Sequence, residues 1–263
     1  MRPSALEQGP SFCVLGTPLR ICTYASLTAE LLVRASRPGP FAVDFTNTHI
    51  VTLRRHEPEF RELTSGVDYF IPDGMPLIWC LNRQGAGLRD RVYGPTFMRE
   101  CILATPASAT HYFLGGNDEC VTRLQDFFLK QNPNIKIVGA RNGYFKPKDE
   151  PQIVDEINRL SPDFVWIGLG TPKQQAWIHK YKSQIQRGIL LAVGFAFDVN
   201  AGMKPDAPMW MQRLGLTWVH RLASEPLRLG PRYVRHNFWF LFYLFWDGVR
   251  GKAWKCAKES MRL

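Results

Sequence analysis

Short apolar runs alternate along the chain with stretches whose apolar positions recur at helical spacing. Residues 41–45 (FAVDF), 69–71, 111–114 (HYFL), 136–138, 164–167 (FVWI) and 189–193 predict strands. Residues 52–63, 76–85, 96–104, 120–131, 151–160 and 174–184 predict helices. Repeated strand, glycine turn and helix predict an α/β fold, a Rossmann-like, mostly parallel sheet with helices on both faces. Ligands of such sheets sit beyond the carboxyl ends of the strands.

The pattern changes near Lys204. Tryptophan, arginine and proline then punctuate helical segments, ending in the nine-residue run 238–246, FWFLFYLFW. Nine residues are too few to cross a bilayer as a helix, which takes about 20. This divides the chain into an α/β core, residues 1–203, and a C-terminal helical appendage, residues 204–263. The whole chain has 263 residues and a net charge of +10. Residues 204–263 hold 11 Lys/Arg against 4 Asp/Glu, so 11 − 4 = +7 of that charge lies in the appendage. Bulky aromatics beside cations suit an anionic membrane surface. Packing against the core, a contact in a homo-oligomer and a nucleic-acid surface are the other readings. The last is disfavoured, because the aromatics are not interleaved with the basic residues. The first twenty residues lack the apolar core of a signal peptide, which predicts residence in the cytosol.

Composition excludes a disordered or low-complexity chain: 45% of residues are hydrophobic and 21% charged. The six cysteines form no C-x-x-C pair, so neither a zinc site nor a disulfide scaffold is expected, and reduced thiols are.

Candidate chemistry gathers at the predicted strand ends. Gly115-Gly116-Asn117, Gly168-Leu169-Gly170 and Gly194 each follow a strand. Such turns let backbone N–H groups approach phosphate, or they are simply tight turns. None completes G-x-G-x-x-G or a P-loop, which weakens a nicotinamide-dependent enzyme as a reading. Asp73, in a Pro-Asp-Gly turn, is placed to act as a general base or to cap the next helix. Arg91 follows a Gly-containing loop, where it either clamps a diphosphate or belongs to a solvated charged turn. With no Asp-x-Asp pair in the chain, no carboxylate clamp for a divalent metal is expected. No cofactor is expected either.

The ordered segments PDGMPLIW (72–79), RVYGPTFM (91–98), FLGG (113–116), GYF (143–145), IGLGTPKQQAW (167–177), VGFAFDVNAG (193–202) and APMWMQRLGLTWVHRL with EPLRL and RY (207–233) resemble the WecG/TagA/CpsF family of bacterial glycosyltransferases. The resemblance implies inverting, metal-independent transfer from a UDP-sugar donor to an undecaprenyl-diphosphate-linked sugar acceptor. It implies work at the cytoplasmic face of the bacterial inner membrane, with the appendage helping membrane binding and completing the site. It makes Asp73 the base and Arg91 a basic substrate-site residue. Asn47, Thr46, Gly74, Gly115, Gly116, Gly168, Gly170, Gln174 and Asp198 become substrate-binding positions. Arg221, Arg228 and Arg232 become partners of the donor or lipid diphosphate. The chain departs from the family in three places. Its first strand reads Phe45-Thr46-Asn47 where Thr-x-Asn is usual, which favours Asn47 over Thr46. If that strand continues, His49 shares the face of Asn47. Gln175 and Thr217 stand where carboxylates are usual, which implies an altered sugar or acceptor preference. A non-catalytic membrane-surface scaffold of the same pathway is the alternative.

Overall fold

The computed structural model describes residues 10–251, apart from the side chains of 228, 229 and 232. Its strands are β1 (Ser11–Val14), β2 (Thr17–Arg20), β3 (Gly39–Thr46), β4 (Tyr69–Pro72), β5 (Thr110–Gly115), β6 (Lys136–Arg141), β7 (Phe164–Gly168) and β8 (Arg187–Ala192). Its helices are α1 (Tyr24–Ala35), α2 (Thr48–His56), α3 (Pro58–Leu63), α4 (Met75–Asn82), α5 (Gly94–Ala104), α6 (Asp118–Gln131), α7 (Glu150–Leu160), α8 (Lys173–Tyr181), α9 (Ala196–Asn200), α10 (Met209–Arg213), α11 (Thr217–Ser224) and α12 (Pro226–Val249).

The strands form one sheet in the order β1-β2-β4-β3-β8-β7-β5-β6. All neighbours are parallel except the β1–β2 hairpin. The α/β fold with a mostly parallel sheet is as the pattern predicts. The antiparallel hairpin at the edge is not predicted. It turns through Leu15 and Gly16, both at positive φ, and leucine there gives none of the usual Asn-Gly signal. The helix expected over 52–63 is two helices. Pro58 opens α3 and the break falls at Glu57, because proline cannot continue the preceding helix.

Strand alternation sends side chains to two cores. Val43, Phe45, Phe113, Trp166 and Leu191 pack with α1, α5, α6 and α9. Ala42, Leu114, Val165, Ile167 and Leu190 pack on the other face with α7 and α8. Helices covering both faces explain why these strands read as continuous apolar runs. Cys22, Cys80, Cys101 and Cys120 are free and buried. Cys13 is disulfide-bonded, which corrects the expectation of reduced thiols throughout; no close cysteine spacing marks it in the sequence.

The apolar run of residues 238–246 lies within α12, which divides it between two faces. Phe240, Tyr243 and Leu244 turn inward onto the β1–β2–β4 end of the core. Phe238, Leu241, Phe242, Phe245, Trp246 and Val249 form an exposed stripe at i, i+3, i+4 spacing. Polar contacts hold the inner face to α2. Arg55 donates two hydrogen bonds to Asp247, at 2.9 and 3.0 Å, and lies over the Tyr243 ring. His56 Nδ1 meets the Tyr243 hydroxyl at 2.5 Å, and the His49 and His236 rings meet edge to face at 4.2 Å. Among the described residues, no helix is long and apolar enough to cross a membrane.

Asp247 is buried while Arg55 is one-third exposed. Arg55→Met therefore strands a buried carboxylate and is expected to cost about 1–3 kcal/mol. Asp247→Asn, which keeps an acceptor, should cost less. Thermal denaturation of the two variants measures the difference, and equal, negligible shifts would show that the pair does not anchor α12.

Candidate active site

The carboxyl ends of β3 and β4 open onto a cavity of about 1030 Å³. Its floor carries Asn47, Asp73, Gly74 and Arg91, and its far wall is made by α11 and α12. The amino ends of three helices line it: Thr48 of α2, Met75 of α4, and Thr217 of α11. Helix amino ends present unpaired N–H groups and partial positive charge. Arg83, Arg91 and Arg221 add full charges around a single carboxylate, Asp73. The cavity is thus built for an anion, with one acid at its base.

Asp73 hangs just beyond β4. Its N–H donates to the Thr46 carbonyl at 2.8 Å, and its Oδ1 accepts from the Gly94 N–H at 3.0 Å. Asp73 is part-buried and lines the cavity. Burial therefore raises its pKa to about 7, against the opposing pull of Arg91, the Gly94 N–H and Arg221; the nearby Asp44 adds to the rise. A carboxyl group with that proton affinity can accept a proton near neutral pH and release it again.

Arg91 is buried. Its guanidinium donates to the Asp73 carbonyl at 3.3 Å and to Thr217 Oγ1 at 2.8 Å, and it lies over the Tyr93 ring. This hydrogen bond ties α11 to the loop bearing Arg91, beside the candidate base. A hydroxyl at position 217 holds the guanidinium without neutralising it, leaving its charge for a bound anion. Arg221 stacks on Phe195 at 3.9 Å and reaches the same cavity.

The remaining predicted positions separate into groups. Asn47 lines the cavity, and its Oδ1 caps α2 by accepting from the His49 and Ile50 N–H groups. The chain turns helical there, so His49 reaches the cavity from the first turn of α2 and not from a continuing strand. Thr46 lies behind the cavity, wholly buried, with its hydroxyl on Asp44. Gly115, Gly116, Gly168, Gly170 and Gln174 gather at the ends of β5 and β7, outside the residues that line the cavity. A Cβ on Gly168 would come within 2.5 Å of the Phe197 ring, and one on Gly116 within 2.6 Å of Cys120 Sγ. Packing alone accounts for glycine at both. Gln174 is buried, and its Oε1 has no hydrogen-bond partner in the structure. Asp198 pairs with Lys204, which also bonds Glu225. The side chains of Arg228 and Arg232 lie outside the described residues.

Several lining residues escape sequence reasoning. Trp79, Tyr93, Trp218, Tyr233 and His236 converge only through the packing of α4, α11, α12 and the start of α5. Trp218, Tyr233 and His236 fall in the aromatic-rich region after residue 204, whereas Trp79 and Tyr93 fall in segments 72–79 and 91–98. Among the described residues, no group of three or more His, Cys, Asp or Glu side chains is placed to hold a metal ion.

A family model described as glycosyl transferase WecG/TagA/CpsF matches residues 12–253. The chain belongs to that family. The WecG/TagA/CpsF assignment covers both the sheet and the helices that wall the cavity. Among similar curated proteins is the N-acetylglucosaminyldiphosphoundecaprenol N-acetyl-β-D-mannosaminyltransferase of Bacillus subtilis strain 168. It is 27% identical over 187 residues, which is 71% of this chain and 72% of the relative. The protein of the same name from Staphylococcus aureus strain MW2 is 29% identical over 185 residues, 70% of this chain and 72% of the relative. The chain is thus similar to glycosyltransferases over most of its length, and it is an enzyme of the glycosyltransferase class.

The glycine positions separate packing from function. Gly168→Ala forces a Cβ against Phe197 and is expected to destabilise the fold by about 1–3 kcal/mol. Gly74→Ala meets nothing closer than 3.8 Å and should cost less than about 1 kcal/mol, set by the poorer capping of α4 by alanine. Differential scanning calorimetry of the two variants checks both.

Proposed function

We propose that this enzyme transfers a sugar from a UDP-sugar to a sugar carried on undecaprenyl diphosphate, with inversion and without a metal. The product feeds assembly of a bacterial surface or exopolysaccharide. The observation that carries the reading is one cavity with two characters. Asp73, Arg91 and Arg221 occupy its polar end, and Trp79, Leu241, Leu244, Phe245 and Val249 line its apolar end. Such a cavity suits an amphiphile with a charged head and a hydrocarbon tail.

In this scheme Asp73 takes the proton from the attacking acceptor hydroxyl. The acceptor oxygen bonds to the anomeric carbon from the face opposite UDP, and the bond to UDP breaks with its electron pair leaving on the diphosphate. Arg91, Arg221 and the helix amino ends stabilise the developing negative charge. The glycine turns after β5 and β7, with Gln174, are assigned to the nucleotide. Arg228 and Arg232 are assigned to the lipid diphosphate.

Residues 204–263 act in this reading as an appendage that completes the site and meets the membrane. The exposed stripe of α12 enters the headgroup boundary, and Arg235 and Arg250 flank it. The acceptor then reaches the cavity laterally along α12. Both substrates are met at the cytoplasmic face of the inner membrane, where the protein is peripheral.

The test is UDP release from a panel of UDP-sugars with a short-chain diphospholipid-linked sugar acceptor. Acceptor-dependent release with one donor is expected, and Asp73→Asn should lose it by about 10²–10⁴-fold. No release with any donor from folded protein would favour the scaffold reading. The base acts deprotonated, and burial holds its pKa up at about 7. Turnover should therefore rise through neutral pH and level off above about 8. A carboxylate of ordinary pKa would give a rate flat from pH 5 upward. Separately, Phe238→Ser/Phe245→Ser should weaken flotation with anionic liposomes while leaving the melting temperature nearly unchanged.

A further inference from the structure

Asp44 is out of character for its strand. β3 lies inside the sheet between β4 and β8, and residues 41–45 read FAVDF. Asp44 is wholly buried on the face that also carries Ala42 and Thr46. A carboxyl group there is costly unless both oxygens are held. Both are. Oδ1 accepts from Thr46 Oγ1 at 2.5 Å, and Oδ2 accepts from Gln175 Nε2 at 2.7 Å. Gln175 is itself fully buried on α8, one residue after Gln174.

The clamp ends at the proposed base. The carbonyl of Thr46 accepts the Asp73 N–H at 2.8 Å, and Thr46 stands opposite Pro72 in the β3–β4 register. A continuous path of hydrogen bonds therefore runs from α8 through Gln175, Asp44 and Thr46 to the peptide of Asp73. It joins the turn after β7 to the residue that meets the acceptor. No step of the scheme above uses Asp44 chemically.

We propose that Asp44 is a positioning residue for the transfer: it ties the end of β3 to helix α8 and, through Thr46, fixes the peptide from which Asp73 extends. The inference rests on Asp73 as the base. A base displaced by a fraction of an ångström loses rate without losing substrate. The same pairing explains glutamine at 175. An amide there donates to Asp44 Oδ2, which an ionised carboxylate at the same position could not do.

The experiment compares steady-state kinetics of Asp44→Asn, Thr46→Val and the swap Asp44→Asn/Gln175→Glu, with wild type and Asp73→Asn alongside. The two single variants should lose about 10- to 100-fold in kcat, with donor KM within about threefold. The swap places a carboxylate on α8 opposite an amide on β3, and it should recover most of the lost kcat. Full kcat in either folded single variant overturns the proposal. So does a loss confined to KM, or a swap that restores the melting temperature without restoring kcat. If Asp44→Asn does not fold, Thr46→Val carries the test, since valine has nearly the same shape and suits a strand. Full turnover by Asp73→Asn in the same assay would instead sink the base assignment, so the two failures are distinct.

Discussion

The proposed chemistry turns on a carboxyl group that borders the cavity yet is mostly shielded from bulk water. Burial alone would leave Asp73 protonated and inert. Arg91, itself buried, pulls the other way, and so does the Gly94 N–H on Oδ1. The balance holds the group near neutrality, where proton transfer in either direction is cheap. That balance depends on several elements at once. β3 supplies the carbonyl that holds the Asp73 amide, α5 supplies the Gly94 N–H, and α11 supplies the hydroxyl that steadies Arg91. The Gly94 N–H and Arg91 act directly on the proton affinity of Asp73.

Seen this way, the C-terminal helices are part of the site as well as a candidate membrane contact. Thr217 bonds Arg91, Arg221 lines the cavity, and α12 is pinned to α2 by Arg55, His56 and their partners. The amino end of α2 in turn lines the cavity floor. Helix α2, nine residues long, thus touches α12 on one side and the cavity floor at its amino end. The two faces of α12 divide the work: one holds the core, and the other is left exposed in a stripe of six bulky apolar side chains.

Some of this was legible from residue order alone. Runs such as HYFL and FVWI stand out because both faces of their strands are buried, so polar residues are excluded from them. Asp73 stands out because it sits in the turn that ends β4, and Arg91 because it follows the Gly-containing loop after α4. The β1–β2 hairpin was hidden by a Leu-Gly turn that carries no usual signal. The fate of Thr46 was hidden too. The strand ends at that residue, and whether its hydroxyl faces the cavity or the interior depends on the pleat. By sequence, the glycines after β5 and β7 suit phosphate-binding turns or plain tight turns alike. The structure adds that Gly116 and Gly168 are also required by contacts with Cys120 and Phe197, contacts between segments far apart in the chain.

What the sequence determined by itself was local: the alternation of strand and helix, the placing of chemistry at strand ends, and a basic, aromatic C-terminal region. Those properties follow from periodicity and composition, which neighbouring residues carry between them. The tertiary structure decided which of these pieces meet. It put Thr217 on Arg91 across 126 positions and Asp247 on Arg55 across 192. It also paired Asp44 with Gln175 across 131. The raised proton affinity of Asp73 belongs to this second class, because it is set by how much protein surrounds the carboxyl group and which charges face it. No window of the sequence contains that information, since the groups responsible come from β3, α5, α11 and the loop bearing Arg91.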